Sequence, residues 1–183
     1  MVGNIPNLLT LTRIVILPFF VVTLVYRQYQ YALILFVIAS VTDLLDGLIA
    51  RMTGQITELG KILDPVADKF FLITSFVLMS MTEMIPTWLA IVVISKDVII
   101  VAGFLILYMI THTLKIEPSM LGKVSSALQF ILIGLVILFR NIRDGIQIGT
   151  PLFVIVAVVT ALSGMQYLYR GMKMAAVESP GAH

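Results

Sequence analysis

Four aspartates stand in two pairs at helical spacing: Asp43 and Asp46, three apart, and Asp64 and Asp68, four apart. Residues three or four apart share one face of a helix. The stretch between the pairs is short, so two antiparallel helices would each aim two carboxylates at one point. Carboxylates gathered in this way repel one another unless cations neutralise them, and an all-oxygen ligand set suits Mg²⁺ or Mn²⁺. The two histidines, His112 and His183, are remote in sequence and the chain has no cysteine, which argues against zinc and excludes thiol nucleophiles. Plainer roles exist for single acids. Asp64 before Pro65 fits a helix N-cap with proline at the first helical position, and Lys61 or Lys69 could pair with one carboxylate. Neither role accounts for four acids at paired spacing. Between them lie Gly47, Ala50, Gly54 and Gly60, small enough to admit a ligand against the backbone or to let helices pack closely. Arg51, one turn beyond Asp46, can reach a phosphate or simply snorkel to an interface.

The elements that must hold these residues are apolar. Of 183 residues, 60% are apolar and 12% charged, and mean hydropathy is +1.07. A soluble domain carries roughly 25% charged residues, so a water-soluble globule is excluded. The net charge of +2 is too small to suggest a nucleic-acid partner. Six stretches are long and apolar enough for transmembrane helices: 8–26, 31–50, 65–81, 86–110, 121–139 and 151–169. They predict an all-α integral membrane protein, a single domain over 1–183, with a short interfacial segment before the first span. The first span does not read as a cleavable signal, since Arg13 interrupts it and no basic stretch precedes it. No internal repeat is visible, and residues 178–183 read as a frayed tail.

With six spans, Arg13, Arg51, Lys61, Lys115, Lys123, Arg170 and Lys173 fall on one side, and Arg27, Arg140 and Arg143 on the other. The excess places both termini in the cytoplasm. The acids then sit at the cytoplasmic ends of spans two and three. An aspartate at the centre of a spanning helix costs roughly 2.5–3.5 kcal/mol on insertion scales, which makes such residues functional candidates.

Written out, the segment is Asp43-x-x-Asp46-Gly47-x-x-Ala50-Arg51, eight residues, then Gly60-x-x-x-Asp64-x-x-x-Asp68. It resembles the signature of the CDP-alcohol phosphatidyltransferases, with every fixed position filled. Asn4-Ile-Pro-Asn7-Leu-Leu-Thr10-x-x-Arg13 and Leu63-Asp-Pro-Val-Ala-Asp-Lys69 are similar to segments of the bacterial phosphatidylglycerophosphate synthases in that family. The resemblance implies transfer of the phosphatidyl group of CDP-diacylglycerol to an alcohol, with release of CMP. It also implies that Asp43, Asp46, Asp64 and Asp68 hold two divalent ions and that Asp68 is the base. Gly47, Ala50, Arg51 and Gly60 would lie against the nucleotide. A homodimer in the bacterial inner membrane, its site facing the cytoplasm, is expected on the same ground.

Glycerol 3-phosphate as acceptor would need cations beside the acids. Lys123 and Lys69 are favoured, with Lys61 and Arg13 as further candidates, while Lys61 and Lys115 also read as ordinary loop charge. Ser95-Lys96-Asp97, Pro118-Ser119-x-x-Gly122-Lys123 and Gln129 are more similar to cardiolipin synthases of the CDP-alcohol type, whose acceptor is phosphatidylglycerol. Lys96 and Asp97 either neutralise each other or face separate partners. Two readings from other classes compete: a six-helix cation carrier using the aspartates as a path, and a non-catalytic scaffold for anionic lipid. The missing repeat disfavours the carrier, and the scaffold leaves the aspartate spacing unexplained.

Overall fold

In apolar surroundings a backbone satisfies its own hydrogen bonds most simply as helix, and long apolar runs with short polar interruptions leave little other choice. The computed structural model describes residues 5–53, 58–111, 119–142 and 149–177, with side-chain surroundings described for 12–43, 68–103, 119–142 and 149–173. Six helices account for nearly all of it: α1 Ile5–Val25, α2 Tyr29–Thr53, α3 Glu58–Met81, α4 Thr87–Thr111, α5 Met120–Ile142 and α6 Thr150–Val177. No strand occurs among the described residues. The α5 and α6 segments Met120–Ile142 and Thr150–Lys173 are long and apolar enough to cross a membrane, and shorter apolar stretches cover Thr12–Val25 and Tyr29–Asp43.

Each predicted span is present as a helix, mostly longer than expected. The two largest differences are in α6, which runs on to Val177 rather than ending at Tyr169, and in α3, which begins at Glu58 rather than at Pro65. The helix therefore runs through Asp64-Pro65, and Asp64 is an interior residue, not an N-cap. Proline there removes one backbone hydrogen bond, a loss the turns on either side outweigh. The first helix runs without a break from Ile5, three residues before the start of the expected span. The expected tail, 178–183, lies outside them, as do Lys115, Arg143, His112 and His183.

The chain divides into two compact units: Met1–Met84 with Ile133–Ile148, and Ile85–Leu132 with Gly149–His183. In the first unit α1 packs against both α2 and α3. Its centre is an aromatic triad. Phe20 of α1 stacks on Phe71 of α3 with ring centroids 5.0 Å apart, and Phe36 of α2 is 6.1 Å from Phe71. Phe20, Phe71 and Phe76 are fully buried, and such aromatic contacts add to the burial of their large apolar area. Gly134 of α5 lies against this layer; a Cβ there would stand 3.0 Å from the Phe36 ring.

Two helix ends in the first unit share one device. Gln28 N–H donates to Thr23 O and Arg27 N–H to Leu24 O. Met84 N–H donates to Met79 O and Glu83 N–H to Ser80 O. These are Schellman caps, which place the residue after the helix in the left-handed region, usually as glycine. Here the residues are Arg27 and Glu83, both at φ 56°.

In the second unit α4 packs on α6, so closely that a Cβ on Gly164 of α6 would stand 3.2 Å from Lys96 Cγ. Ser119 caps α5: its Oγ accepts the Gly122 N–H at 3.0 Å, as an N-cap serine should. Apolar side chains also point outward on every helix with described surroundings, among them Phe19, Val37, Phe70, Ile91, Ile131 and Ile155. An outward apolar surface of this extent is a surface for lipid or for another protein.

Candidate active site

Of the four paired aspartates, the two with described surroundings, Asp43 on α2 and Asp68 on α3, converge on one cation. Arg13 Nη2 is 2.6 Å from Asp43 Oδ1, and Arg13 Nη1 donates to Asp68 Oδ1. Arg13 comes from α1, which lies against both partner helices, so three helices close on one point. The guanidinium is buried, with 3% of its side chain exposed, whereas the two carboxylates keep 34% and 33%. The cation is thus enclosed by protein while the acids retain an open side.

Helix geometry extends the picture. Both helices continue through the partner aspartates, so Asp46 lies one turn beyond Asp43 on α2, and Asp64 one turn before Asp68 on α3. The side-chain surroundings of Asp46, Gly47, Ala50, Arg51, Gly60, Lys61 and Asp64 lie outside the described residues. Lys69 follows Asp68 and is half-buried; adjacent helical residues point about 100° apart, so it faces away from its neighbour's direction. Lys123 sits in the first turns of α5 in the second unit, exposed.

Sequence reasoning treated Arg13 as one of several basic residues near an acceptor. It did not foresee that α1 inserts this residue between the two acidic helices. The available signal was a lone arginine inside an apolar run, which demands a counter-ion. Among the described residues no group of three or more acids or histidines is gathered. Even so, the donor chemistry fits a hard cation. Carboxylates from two separate helices already close on one positive charge and stay open on one side, an arrangement oxygen-binding divalent ions can use.

The second unit holds its own polar groups. Lys96 Nζ is 3.2 Å from Asp97 Oδ1, with both side chains buried, so the two pair even though they are adjacent in sequence. Gln129 Nε2 donates to Thr160 Oγ1 at 3.0 Å, and Ser125 Oγ to the same oxygen at 3.2 Å. This seam joins α5 to α6 by the side-chain hydrogen bonds common between helices in apolar surroundings. Its signal was visible as polar residues four apart, Ser125 and Gln129, in an apolar stretch.

A sequence model of the family described as "CDP-alcohol phosphatidyltransferase" matches residues 3–166. The CDP-diacylglycerol--glycerol-3-phosphate 3-phosphatidyltransferase of Salmonella typhimurium is 35% identical, over 90% of this chain and 93% of its own length. The human cardiolipin synthase (CMP-forming) is 32% identical over 93% of this chain and 62% of its own. A probable cardiolipin synthase (CMP-forming) of Drosophila melanogaster is 34% identical over 72% and 46%. The chain therefore spans about half to three-fifths of the length of these cardiolipin synthases, and nearly all of the bacterial relative.

Proposed function

Since the chain belongs to the CDP-alcohol phosphatidyltransferase family, we propose that it transfers the phosphatidyl group of CDP-diacylglycerol to glycerol 3-phosphate, yielding phosphatidylglycerophosphate and CMP. The observation that carries this reading is the convergence of Asp43 and Asp68 on the Arg13 cation. Phosphoryl transfer is chiefly positioning and charge neutralisation, and carboxylates fixed from separate helices supply the means for both.

Asp43, Asp46, Asp64 and Asp68 would hold two divalent ions, Mg²⁺ or Mn²⁺. Such ions, when bound, neutralise the donor pyrophosphate and ease the departure of CMP. Asp68 takes the proton of the attacking acceptor hydroxyl; its carboxylate is oriented by Arg13 and keeps a third of its surface open to a substrate. The hydroxyl oxygen bonds to the β-phosphorus of the donor, the one that carries the diacylglycerol. The bond from that phosphorus to the oxygen bridging to CMP breaks, and the proton rests on Asp68. Gly47, Ala50, Arg51 and Gly60 are assigned to the nucleotide. Arg13, Lys61, Lys69 and Lys123 are assigned to the acceptor phosphate, with Arg13 already at the carboxylates.

The work is placed at a membrane surface. The donor's acyl chains require lipid and its nucleotide requires water, and the outward apolar side chains of the helices support an embedded chain. We place six helices across the bacterial inner membrane, both termini and the aspartates on the cytoplasmic side, and the protein acting as a homodimer.

Cardiolipin synthesis, with phosphatidylglycerol as acceptor, is the second reading. It is favoured by the similarity to the human and Drosophila relatives and by the Lys96–Asp97 and Gln129 features. The near-complete coverage of the bacterial relative favours the first. An acceptor panel with labelled CDP-diacylglycerol separates them. Glycerol 3-phosphate should give phosphatidylglycerophosphate, with little product from phosphatidylglycerol, serine or inositol phosphate. Cardiolipin as the main product would overturn the lead reading, and ion flux in liposomes without CMP release would replace the enzyme by a carrier.

A further inference from the structure

The first unit holds a second constellation of charge, at the opposite end of α1 and α2 from the aspartates. A cavity of about 540 Å³ is lined by Arg27, Gln28, Tyr29, Gln30 and Tyr31 of the α1–α2 turn and by Arg140 and Asn141 at the end of α5. Its volume falls within the range of small-ligand sites, roughly 300–1,000 Å³. From Arg13 to the end of α1 is twelve residues, or roughly 18 Å along the helix, so the cavity is separate from the carboxylates.

Its lining is built almost wholly of hydrogen-bond donors: two guanidinium groups, three carboxamides and two phenols. No carboxylate lines it among the described residues. Neither guanidinium has an ion pair with a described residue. Arg140 is steered there by one contact, Nη2 to the Glu83 carbonyl oxygen at 3.2 Å. Arg27 stands at φ 56°, a conformation that costs a non-glycine residue roughly 1 kcal/mol or more. Two arginines brought from separate parts of the chain into one cavity are suited to a phosphate, which guanidinium groups bind with two-point geometry.

We propose that this cavity binds the phosphate of an anionic phospholipid headgroup. A lipid is favoured over a free anion by what adjoins the cavity. Val22 and Val25 of α1 and Ile34 of α2, one or two turns away, are exposed apolar side chains along which acyl chains can lie. Tyr26 and Tyr31 are 73% and 60% exposed, as tyrosines at a headgroup boundary are. The proposal rests on the membrane placement given above, and it does not depend on the transferase reaction.

The test uses the full chain purified in neutral detergent and titrated separately with phosphatidic acid, phosphatidylcholine and inorganic phosphate. Retained lipid is read by native mass spectrometry and the thermal midpoint is followed in parallel. Phosphatidic acid is chosen because its headgroup has no alcohol to serve as acceptor. It should be retained and raise the midpoint, whereas phosphatidylcholine and phosphate should not. Arg27→Gln combined with Arg140→Gln should weaken retention at least about tenfold, while the paired lysine substitutions keep part of it. CMP release should be the same in all forms. If the paired glutamine variant loses CMP release, Arg27→Gln alone, which breaks no ion pair, carries the test. Equal retention by wild type and the glutamine variants would overturn the proposal. So would equal protection by inorganic phosphate. Absence of CMP release from the wild type would sink the transferase reading and leave the lipid result to stand or fall by itself.

Discussion

At Arg13 one guanidinium is shared by carboxylates from two helices, and the residue-scale chemistry turns on that sharing. Removing one member of a buried ion pair costs about 3–5 kcal/mol, less where solvent screens it, as on the open side of Asp43 and Asp68. Arg13→Ala should therefore destabilise the chain by roughly 1–3 kcal/mol, read as a lower thermal midpoint in detergent. Arg13→Lys should recover only part of this, because an ammonium lacks the planar fork that meets two acids at once. An unchanged midpoint in Arg13→Ala would mean that the ion pairs contribute nothing. Asp68→Asn removes the proposed proton acceptor while keeping shape, and should lower CMP release by about 10²–10⁴-fold with CDP-diacylglycerol binding largely retained. Turnover at the wild-type rate would take Asp68 out of the mechanism.

At the scale of elements, the helices were legible and their ends were not. Apolar runs separated by a few polar residues can only be helices in an apolar medium, so all six appear where hydropathy places them. The start of α3 was misread because Asp64-Pro65 has the form of a helix beginning, and local form cannot register that the preceding residues are already helical. The caps at Arg27 and Glu83 gave no sequence signal, since the left-handed position is filled by neither glycine nor asparagine. Close packing between helices was equally hidden. Gly134 reads as any glycine in an apolar helix, yet a Cβ on it would meet the buried Phe36 ring at 3.0 Å, whereas nothing lies within 4 Å of one on Gly171. Gly134→Ala should thus destabilise by roughly 1–3 kcal/mol through overpacking. Gly171→Ala should be neutral or stabilise by about 0.5–1 kcal/mol through helix propensity. Thermal unfolding of the two variants side by side checks this, and equal midpoints would show that the Phe36 layer yields freely.

For the whole molecule, the proposed transferase depends on cations that the four aspartates would hold. Thorough chelation with EDTA should abolish CMP release, and Mg²⁺ or Mn²⁺ should restore it. Activity undiminished after chelation would refute the metal-assisted reaction while leaving the family intact. The sequence by itself determined the all-helical fold, the family and the pairing of acids on helix faces. The fold follows from hydropathy and the pairing from periodicity along each helix, where neighbours three and four residues apart must meet, while the family follows from the resemblance of the whole two-helix segment to a known signature. It also exposed the need of Arg13 for a counter-ion without naming one. Only the tertiary structure decided that Asp43 and Asp68 share that role, that Lys96 pairs with its own neighbour, and that Arg27 and Arg140 meet in one cavity. Those contacts join residues through the packing of separate helices or through the bending of long side chains, and no spacing along the chain encodes either.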